Sequence, residues 1–544
     1  MRSGQRKARL RDVLMLGGVF AVSLLASVPA ILHLGRLGFH FEDLSIPFDG
    51  GYRILLGERP FADFSAPVGP VLFLQQALFF RLFGVGLDAY LVHAAVLNAV
   101  AASAVWLLLR RFDRTAAVAG AAVTACWFYL VPAAPYIDTT AFFWTLLAVV
   151  AVAGAAGERD GAGAGWWAAG AGVCAGTAFL VKQNVGGLAV AGVALLVFLD
   201  ALRDGSGGWR VEGRTPVRRL LPVVAGAALP LLFLALYAAV TGSWGSFVHD
   251  FFAVPLGSGR LRYLAPWAAR MAVKAVRPEL VNSGFAEMAG PAVRELLVYA
   301  GVAALGAGWL RARERERRLL LATAAFLLLL QQWSFNTSNN NEVLYWPFAG
   351  LLLGLLAVLA RRSALPRRLA DAGVVAAAVA VALLGLHFGA ERTAHDLRVG
   401  GLSYEVEHPR LAGLRMPEPA GPRLDALLAF LEREVPAGEP IAVFGETTVI
   451  HGAVGRPPGQ PLLWFRAGVS YPADDATATG ERILRALDER RVAWVVVDDY
   501  GAAQLSDPLA ALAGALAERY EVVGAGITGF RVLRRATAPT APRG

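Results

Sequence analysis

The sequence predicts a polytopic α-helical membrane protein of about eleven transmembrane helices, followed by a small C-terminal α/β domain outside the membrane. Three observations predict it: composition, the spacing of apolar runs, and a change of character after about residue 390. The 544 residues are 56% hydrophobic and only 17% charged, and the mean hydropathy is +0.51. A soluble domain carries a smaller apolar share, so a soluble enzyme, a disordered chain and a fibrous protein all fit poorly. The net charge is +9 and the pI about 9.8. Basic residues beside membrane spans follow topology, so this excess calls for no nucleic acid.

A helix crosses about 30 Å of hydrocarbon with roughly 20 apolar residues. Runs near that length lie at 13–34, 88–109, 115–131, 139–156, 164–180, 185–199, 220–241, 295–310, 319–335, 343–360 and 371–389. The first follows a basic segment and contains a cleavage-like Ala26-Ser27-Val28-Pro29-Ala30, yet it is longer than a signal-peptide core, which favours an uncleaved span. Placing the N-terminus in the cytoplasm puts 23 Lys and Arg in the inside segments and 10 in the longer outside ones. The positive-inside rule therefore selects this orientation in a cell (inner) membrane. Segment 67–84 is apolar but carries Arg81 and the pair Gln75-Gln76. A full span there would invert every later loop against the charge rule, so an interfacial helix is expected. Gly- and Ala-rich stretches such as 150–175 suit close helix packing in lipid.

Residues 1–390 thus form the expected membrane domain, with outer loops 35–87 and 242–294, and residues 391–544 the extracytoplasmic α/β domain. In the tail, helical spacing covers Leu424 to Val435 and Glu481 to Arg491, while 440–445, 492–499, Tyr520 to Val523 and Phe530 to Leu533 have strand patterns.

The first outer loop carries the chemistry. Glu42, Asp43, Asp49, Glu58 and Asp63 cluster near the membrane surface beside an amphipathic helix expected over Ile46–Leu56. Carboxylates at that depth can have raised pKa values and serve as general bases. The alternative is that they are simply solvated.

An acidic pair just after the first span lies about fourteen residues before Gly57. Phe61-Ala62-Asp63-Phe64, a Gly69-Pro70 turn and an apolar helix ending Leu82-Phe83-Gly84 follow. This pattern resembles the C-type (GT-C) membrane glycosyltransferases, in particular the protein O-mannosyltransferase, lipid A aminoarabinose transferase and RgtA/B/C/D-like groups. The resemblance rests on motifs in about the first 200 residues, and beyond them on hydropathy and the outer C-terminal domain. It implies that Asp43 lies beside the donor sugar as general base, with Glu42 its acidic neighbour and Asp63 the second acidic position. The order Glu42-Asp43 departs from the Asp-Glu of many relatives. Lys182, one of only three lysines, stands in Lys182-Gln183-Asn184, where the resemblance implies a similar Lys. It either meets an anion such as a polyprenyl phosphate or snorkels to the interface. Asp138 is either the recurrent acidic residue after the third span or a helix N-cap.

The reaction implied is transfer of a hexosyl or pentosyl group from a polyprenyl-phosphate donor to an extracytoplasmic envelope glycan or lipid. A carboxylate takes the proton of the attacking hydroxyl, and fixed cations meet the charge on the departing phosphate. Arg260 and Arg262, with Tyr263 and Trp267, are donor- or phosphate-binding candidates, or else interfacial anchors. The polar stretch from Trp333 to Glu342 either lines the acceptor site or joins two spans. Two other classes remain: a flippase or transporter of lipid-linked sugar, and a catalytically inactive relative that acts as a binding protein. Transporters place ionisable groups mid-span and show repeats, whereas here the acids cluster in one outer loop.

Other signals point elsewhere. Cys126 and Cys174 sit in apolar runs without partners at ligand spacing, which supports neither a disulfide framework nor a zinc site. No residue set supports a divalent metal, and no other cofactor is implied. Among the histidines, His40 and His249 lie nearest the outer surface. Gly524-Ala525-Gly526-Ile527-Thr528-Gly529 matches a dinucleotide pattern, but a strand is expected after it where that site needs a helix. Asp498-Asp499 is expected at a strand end.

Overall fold

The computed structural model describes residues 2–37, 39, 41–158, 162–202, 215–257, 285–338, 346–361, 366–399, 401–467, 469–471, 476–507, 509–523 and 529–536. The eleven apolar runs each overlap a helix: α1 (Arg2–Gly35), α4 (Leu87–Leu109), α5 (Arg114–Trp127), α6 (Ile137–Gly157), α7 (Ala162–Phe179), α8 (Gln183–Leu202), α9 (Thr215–Val240), α11 (Phe285–Arg311), α12 (Arg315–Ser338), α13 (Ala349–Arg361) and α14 (Arg367–Val399). Among the described residues five are long and apolar enough to cross a membrane, namely Leu10–Gly35, Leu87–Leu109, Ile137–Gly157, Gln183–Leu202 and Val217–Val240. Between α1 and α4 lie the shorter α2 (Phe41–Leu55) and α3 (Val71–Phe83), and after α9 come α10 (Trp244–Val248) and a π-helical turn His249–Ala253.

Burial sorts these helices. The apolar windows of α4 and α6 are 78% and 72% buried, whereas those of α1 and α9 are 17% and 28% buried. The first two therefore form the centre of the bundle. The others leave Leu14, Val22, Leu25, Leu229 and Phe233 exposed, surface that lipid covers without cost. Close packing of α7 on α9 depends on small residues. A Cβ on Gly172 would overlap the Val223 carbonyl oxygen, and one on Gly176 that of Ala227. The four-residue spacing puts both on one face, so the backbones approach as in other small-residue membrane interfaces.

All described strands follow residue 403. A two-stranded ribbon, β1 (Tyr404–Glu405) with β2 (Arg415–Met416), precedes a four-stranded sheet ordered β3-β4-β6-β5. Here β3 (Ile441–Phe444) is parallel to β4 (Trp494–Asp498), while β6 (Phe530–Arg535) is antiparallel to both β4 and β5 (Tyr520–Val522). Side chains alternate between faces of a strand, and both faces are covered. Ile441 and Val443 join a cluster with Leu424, Leu427 and Leu431 of α15 (Ala420–Glu434). Ala442 and Phe444 join another with Ile483 and Leu487 of α17 (Ala476–Glu489) and Leu512 of α19 (Ala510–Arg519). The first cluster continues into the bundle through Phe48, Leu72, Leu87 and Tyr90, so the sheet layer and the helices share one core.

Two small sequence expectations change. The first-loop helix starts at Phe41, ahead of Pro47, so Glu42 and Asp43 lie in its first turn and not in the preceding loop. A Pro usually marks a helix start, but here it sits inside. Asp498 does more than end a strand. It caps α18 (Asp499–Ser506) by accepting from the Gly501 amide at 2.7 Å, and its other oxygen accepts from the Glu446 amide, the Thr447 amide and the Thr447 hydroxyl. Antiparallel pairing of β5 with β6 puts a strand directly after the Gly524–Gly529 motif, of which 524–528 lie outside the described residues.

Candidate active site

Asp43 projects from the first turn of α2 and is half-buried. The hydroxyl of Tyr136 donates to its Oδ2 at 3.0 Å, and one residue on, the Tyr90 hydroxyl donates to the Leu44 carbonyl at 2.9 Å. Pro47 has no N–H for the Asp43 carbonyl, so side chains of the central helices take over the anchoring of this turn. Glu42 lies in the same turn, and its side chain is outside the described residues.

Tyr136 immediately precedes α6, in extended conformation at the N-cap position. Two residues later Asp138, 3% exposed, receives the Lys182 ammonium on both oxygens at 2.7 and 2.6 Å. The Ser334 hydroxyl adds a third contact at 3.2 Å. Asp138 is not the N-cap, because Tyr136 occupies that position and the Asp138 oxygens face a cation. The Lys182 side chain is 16% exposed and turned to that carboxylate, so it does not simply snorkel. A cation at this depth is retained when paired.

The neighbours of Lys182 draw further segments together. Gln183 donates to the Pro67 carbonyl at 3.1 Å and the Phe251 carbonyl at 2.9 Å, and Trp333 donates to the Asn184 carbonyl at 2.8 Å. A Cβ on Gly69 would overlap the Leu180 carbonyl, which is why glycine stands in the Pro67–Pro70 turn. Beside it Ser65 donates to Asp250 at 2.7 Å, and the other Asp250 oxygen lies 2.9 Å from His249 Nδ1. Lys182-Gln183-Asn184 therefore joins α6, α8, α12, the first outer loop and the π-helical turn.

The remaining loop acids behave differently from expectation. Asp49 and Arg53 are wholly buried, with Arg53 Nε donating to Asp49 Oδ2 at 2.9 Å and His451 Nδ1 at 2.9 Å from Oδ1. Burial alone would raise the Asp49 pKa, but Arg53 and His451 outweigh it and hold the carboxyl below its usual range. Asp63 is likewise pulled up by burial and lowered overall by Arg59, whose amide and guanidinium both donate to it. Raised values were one of the two readings of this loop. They do not occur at these two acids because each has an arginine four residues away. Glu58 bridges Arg53 at 3.1 Å and Arg490 at 2.7 Å. Thus the structure brings Asp43, Tyr136, Asp138, Lys182 and Ser334 into one neighbourhood and ties Asp63 to Arg59 instead. Arg260, Arg262, Tyr263 and Trp267 lie outside the described residues, as do His40 and the segment from Asn339 to Glu342.

Tyr136 and His451 were not among the sequence candidates, whereas Ser334 lies in the polar stretch that starts at Trp333. Tyr136 had a visible signal, two residues before Asp138, whereas His451 lies 402 positions from Asp49 and had none. Among the described residues no group of three His, Cys, Asp or Glu could hold a metal ion, and both cysteines are free.

The dolichyl-phosphate-mannose-protein mannosyltransferase family model matches residues 66–205, the stretch that contains the Pro67–Pro70 turn, Tyr136, Asp138 and Lys182. No curated protein sequence matches the chain. Among solved structures, ArnT from Cupriavidus metallidurans bound to undecaprenyl phosphate is 16% identical, with a TM-score of 0.54 over 98% of this chain and 99% of that one. The oligosaccharyltransferase AglB from Archaeoglobus fulgidus, in complex with an inhibitory peptide and a dolichol-phosphate, is 14% identical, with a TM-score of 0.48 over 98% of this chain and 75% of that one. The chain therefore has the fold of ArnT over nearly its whole length, and across residues 66–205 it is similar to the dolichyl-phosphate-mannose-protein mannosyltransferase family.

Proposed function

We propose that the protein is a multi-pass membrane glycosyltransferase that moves a hexosyl or pentosyl group from a polyprenyl-phosphate donor to an envelope glycan or lipid on the outer side. The observation that carries this reading is the juxtaposition at the start of α6: Tyr136 binds Asp43, and two residues on Asp138 holds Lys182. A carboxylate and a fixed cation are thus presented within one turn of a central helix, in the fold of ArnT. Fold alone does not set chemistry, so the argument rests on the roles these groups can take.

In the proposed step an acceptor hydroxyl oxygen bonds to the anomeric carbon from the face opposite the phosphate, and the bond from that carbon to the phosphate oxygen breaks. Configuration is inverted, the hydroxyl proton passes to Asp43, and the bonding pair leaves on the polyprenyl phosphate. Tyr136 orients the Asp43 carboxylate. Lys182, kept in place by Asp138, stabilises the phosphate charge as it develops. Glu42 is the acidic neighbour in the same turn, and Arg260 and Arg262 are further candidates for the phosphate. All eleven bundle helices that overlap the apolar runs are proposed to span the cell (inner) membrane from a cytoplasmic N-terminus. The division is proposed at about residue 390, with 391–544 extracytoplasmic.

The test is sugar release from radiolabelled polyprenyl-phosphate donors by purified protein in lipid, with crude envelope extract as acceptor and Asp43→Asn alongside. Transfer that falls by about 10² or more in the variant supports the reading. Passage of labelled lipid across proteoliposomes with no transfer from any donor would replace it with a transporter.

A further inference from the structure

We propose that His451 of the α/β domain is a positioning residue for the acidic loop: by binding Asp49 it fixes α2, the helix that carries Asp43 in its first turn. The functional consequence rests on the reading of Asp43 as base, but the positioning itself is tested without it.

The argument starts from what α2 lacks. Pro47 removes the amide that would bond to the Asp43 carbonyl, so the helix's own ladder is interrupted between its first turn and its remainder. The first turn is held by Tyr90 and Tyr136. The remainder packs on α3, where a Cβ on Gly50 would overlap the Phe73 ring, and it takes a buried side-chain bond from the α/β side. Asp49 is ionised, because Arg53 and His451 keep its carboxyl below the ordinary range, and an ionised carboxylate only accepts hydrogen bonds. The proton between the two groups therefore sits on His451 Nδ1, which donates to Oδ1 at 2.9 Å. Both side chains are completely buried, so water does not substitute for the bond.

His451 lies on the short helix α16 (Ile450–Val454), which packs directly on α2. A Cβ on the next residue, Gly452, would come within 2.6 Å of the Phe48 ring. The seam continues past α2: Arg53 Nη1 donates to the Gln460 carbonyl at 3.0 Å, the Ser65 amide to the Pro461 carbonyl at 2.6 Å, and Arg490 to the Asp63 carbonyl at 2.6 Å. Most of these bonds reach backbone carbonyls or exposed groups. His451 to Asp49 is the fully buried side-chain pair across the seam, and it grips α2 at its middle, where the proline has weakened it.

Hydrogen exchange of the full-length protein in nanodiscs tests this, with peptides covering Phe41–Leu55 compared with peptides from α9. In His451→Ala the α2 amides should exchange about tenfold faster or more while α9 is unchanged, as expected for local opening. His451→Asn, whose amide nitrogen falls near the position of Nδ1, should restore protection. His451→Gln, whose amide nitrogen falls near Nε2, should not. If the Ala variant fails to fold, the Asn and Gln pair decides alone. Unchanged exchange over 41–55, or equal loosening of α2 and α9, would overturn the proposal. Absence of sugar transfer by the unmodified protein would remove the proposed function and leave the exchange result standing.

Discussion

Two carboxylates on the same short helix are held in opposite ways. Asp49 is wholly enclosed, with Arg53 on one oxygen and His451 on the other, and Arg53 is itself tied to Glu58 and the Gln460 carbonyl. Asp43, six residues earlier, is half-buried and, among the described residues, has one hydrogen-bond partner, Tyr136. A carboxylate whose oxygens are both committed to buried partners stabilises an arrangement, whereas one with accessible capacity can take up a proton from a substrate. The acidic loop is therefore two regions, a more accessible first turn and a fastened remainder, and part of the fastening comes from the other end of the chain.

The largest expected effect contrasts these two positions. Asp43→Asn should cut sugar transfer by about 10² or more with thermal unfolding unchanged. Asp49→Asn should lower stability by about 3–5 kcal/mol, because Arg53 is left without its buried partner. If the two variants have the same profile, the division of the loop fails.

Next comes the pair below Asp43. Lys182→Met strands the Asp138 carboxylate, and Asp138→Asn strands the lysine. Each single change should destabilise by about 2–4 kcal/mol, and the double variant should be more stable than either. Chemical unfolding of all three checks this, and strict additivity would reject the coupling. Tyr136→Phe should reduce turnover by about tenfold through loss of one hydrogen bond to a charged group, with donor KM nearly constant. A pure KM effect would move Tyr136 from orienting the base to binding the donor.

The pH dependence of the fastened region has a defined sign. Asp49 is depressed below the ordinary aspartate value of 3.8, so its contribution to stability is complete above that value. It is lost as pH falls through the lower folded value. The groups around it are Arg53, Glu58, His451 and Arg490. Thermal unfolding between pH 7 and 3 should show the Asp49-dependent loss only below about pH 4, and Asp49→Asn should flatten that limb. The smallest effect is expected at Arg59 and Asp63, a partly exposed pair: Arg59→Ala should leave the thermal unfolding midpoint nearly unchanged.

Much of this was legible in the chain. The apolar runs placed the helices because hydropathy and length are local properties, and short continuous β-rich runs placed β3 and β4, strands buried on both faces. The motif around Asp43 and the isolated Lys182 singled out two residues that the fold links through Tyr136 and Asp138. The helix expected from Ile46 starts earlier, at Phe41, and the lowered values of Asp49 and Asp63 were not legible because Arg53 and Arg59 could not be read as their partners.

What the sequence by itself determined is the order and kind of elements, and which residue types arrive in the segment between α1 and α4. The tertiary structure decided which charge meets which: Tyr136 reaches Asp43 across 93 residues, Lys182 reaches Asp138 across 44, and His451 reaches Asp49 across 402. The reason is physical. Periodicity records how much of a residue is buried, a property of its own segment, whereas the state of a carboxylate depends on the charges within a few ångströms. Only the packed chain brings those together.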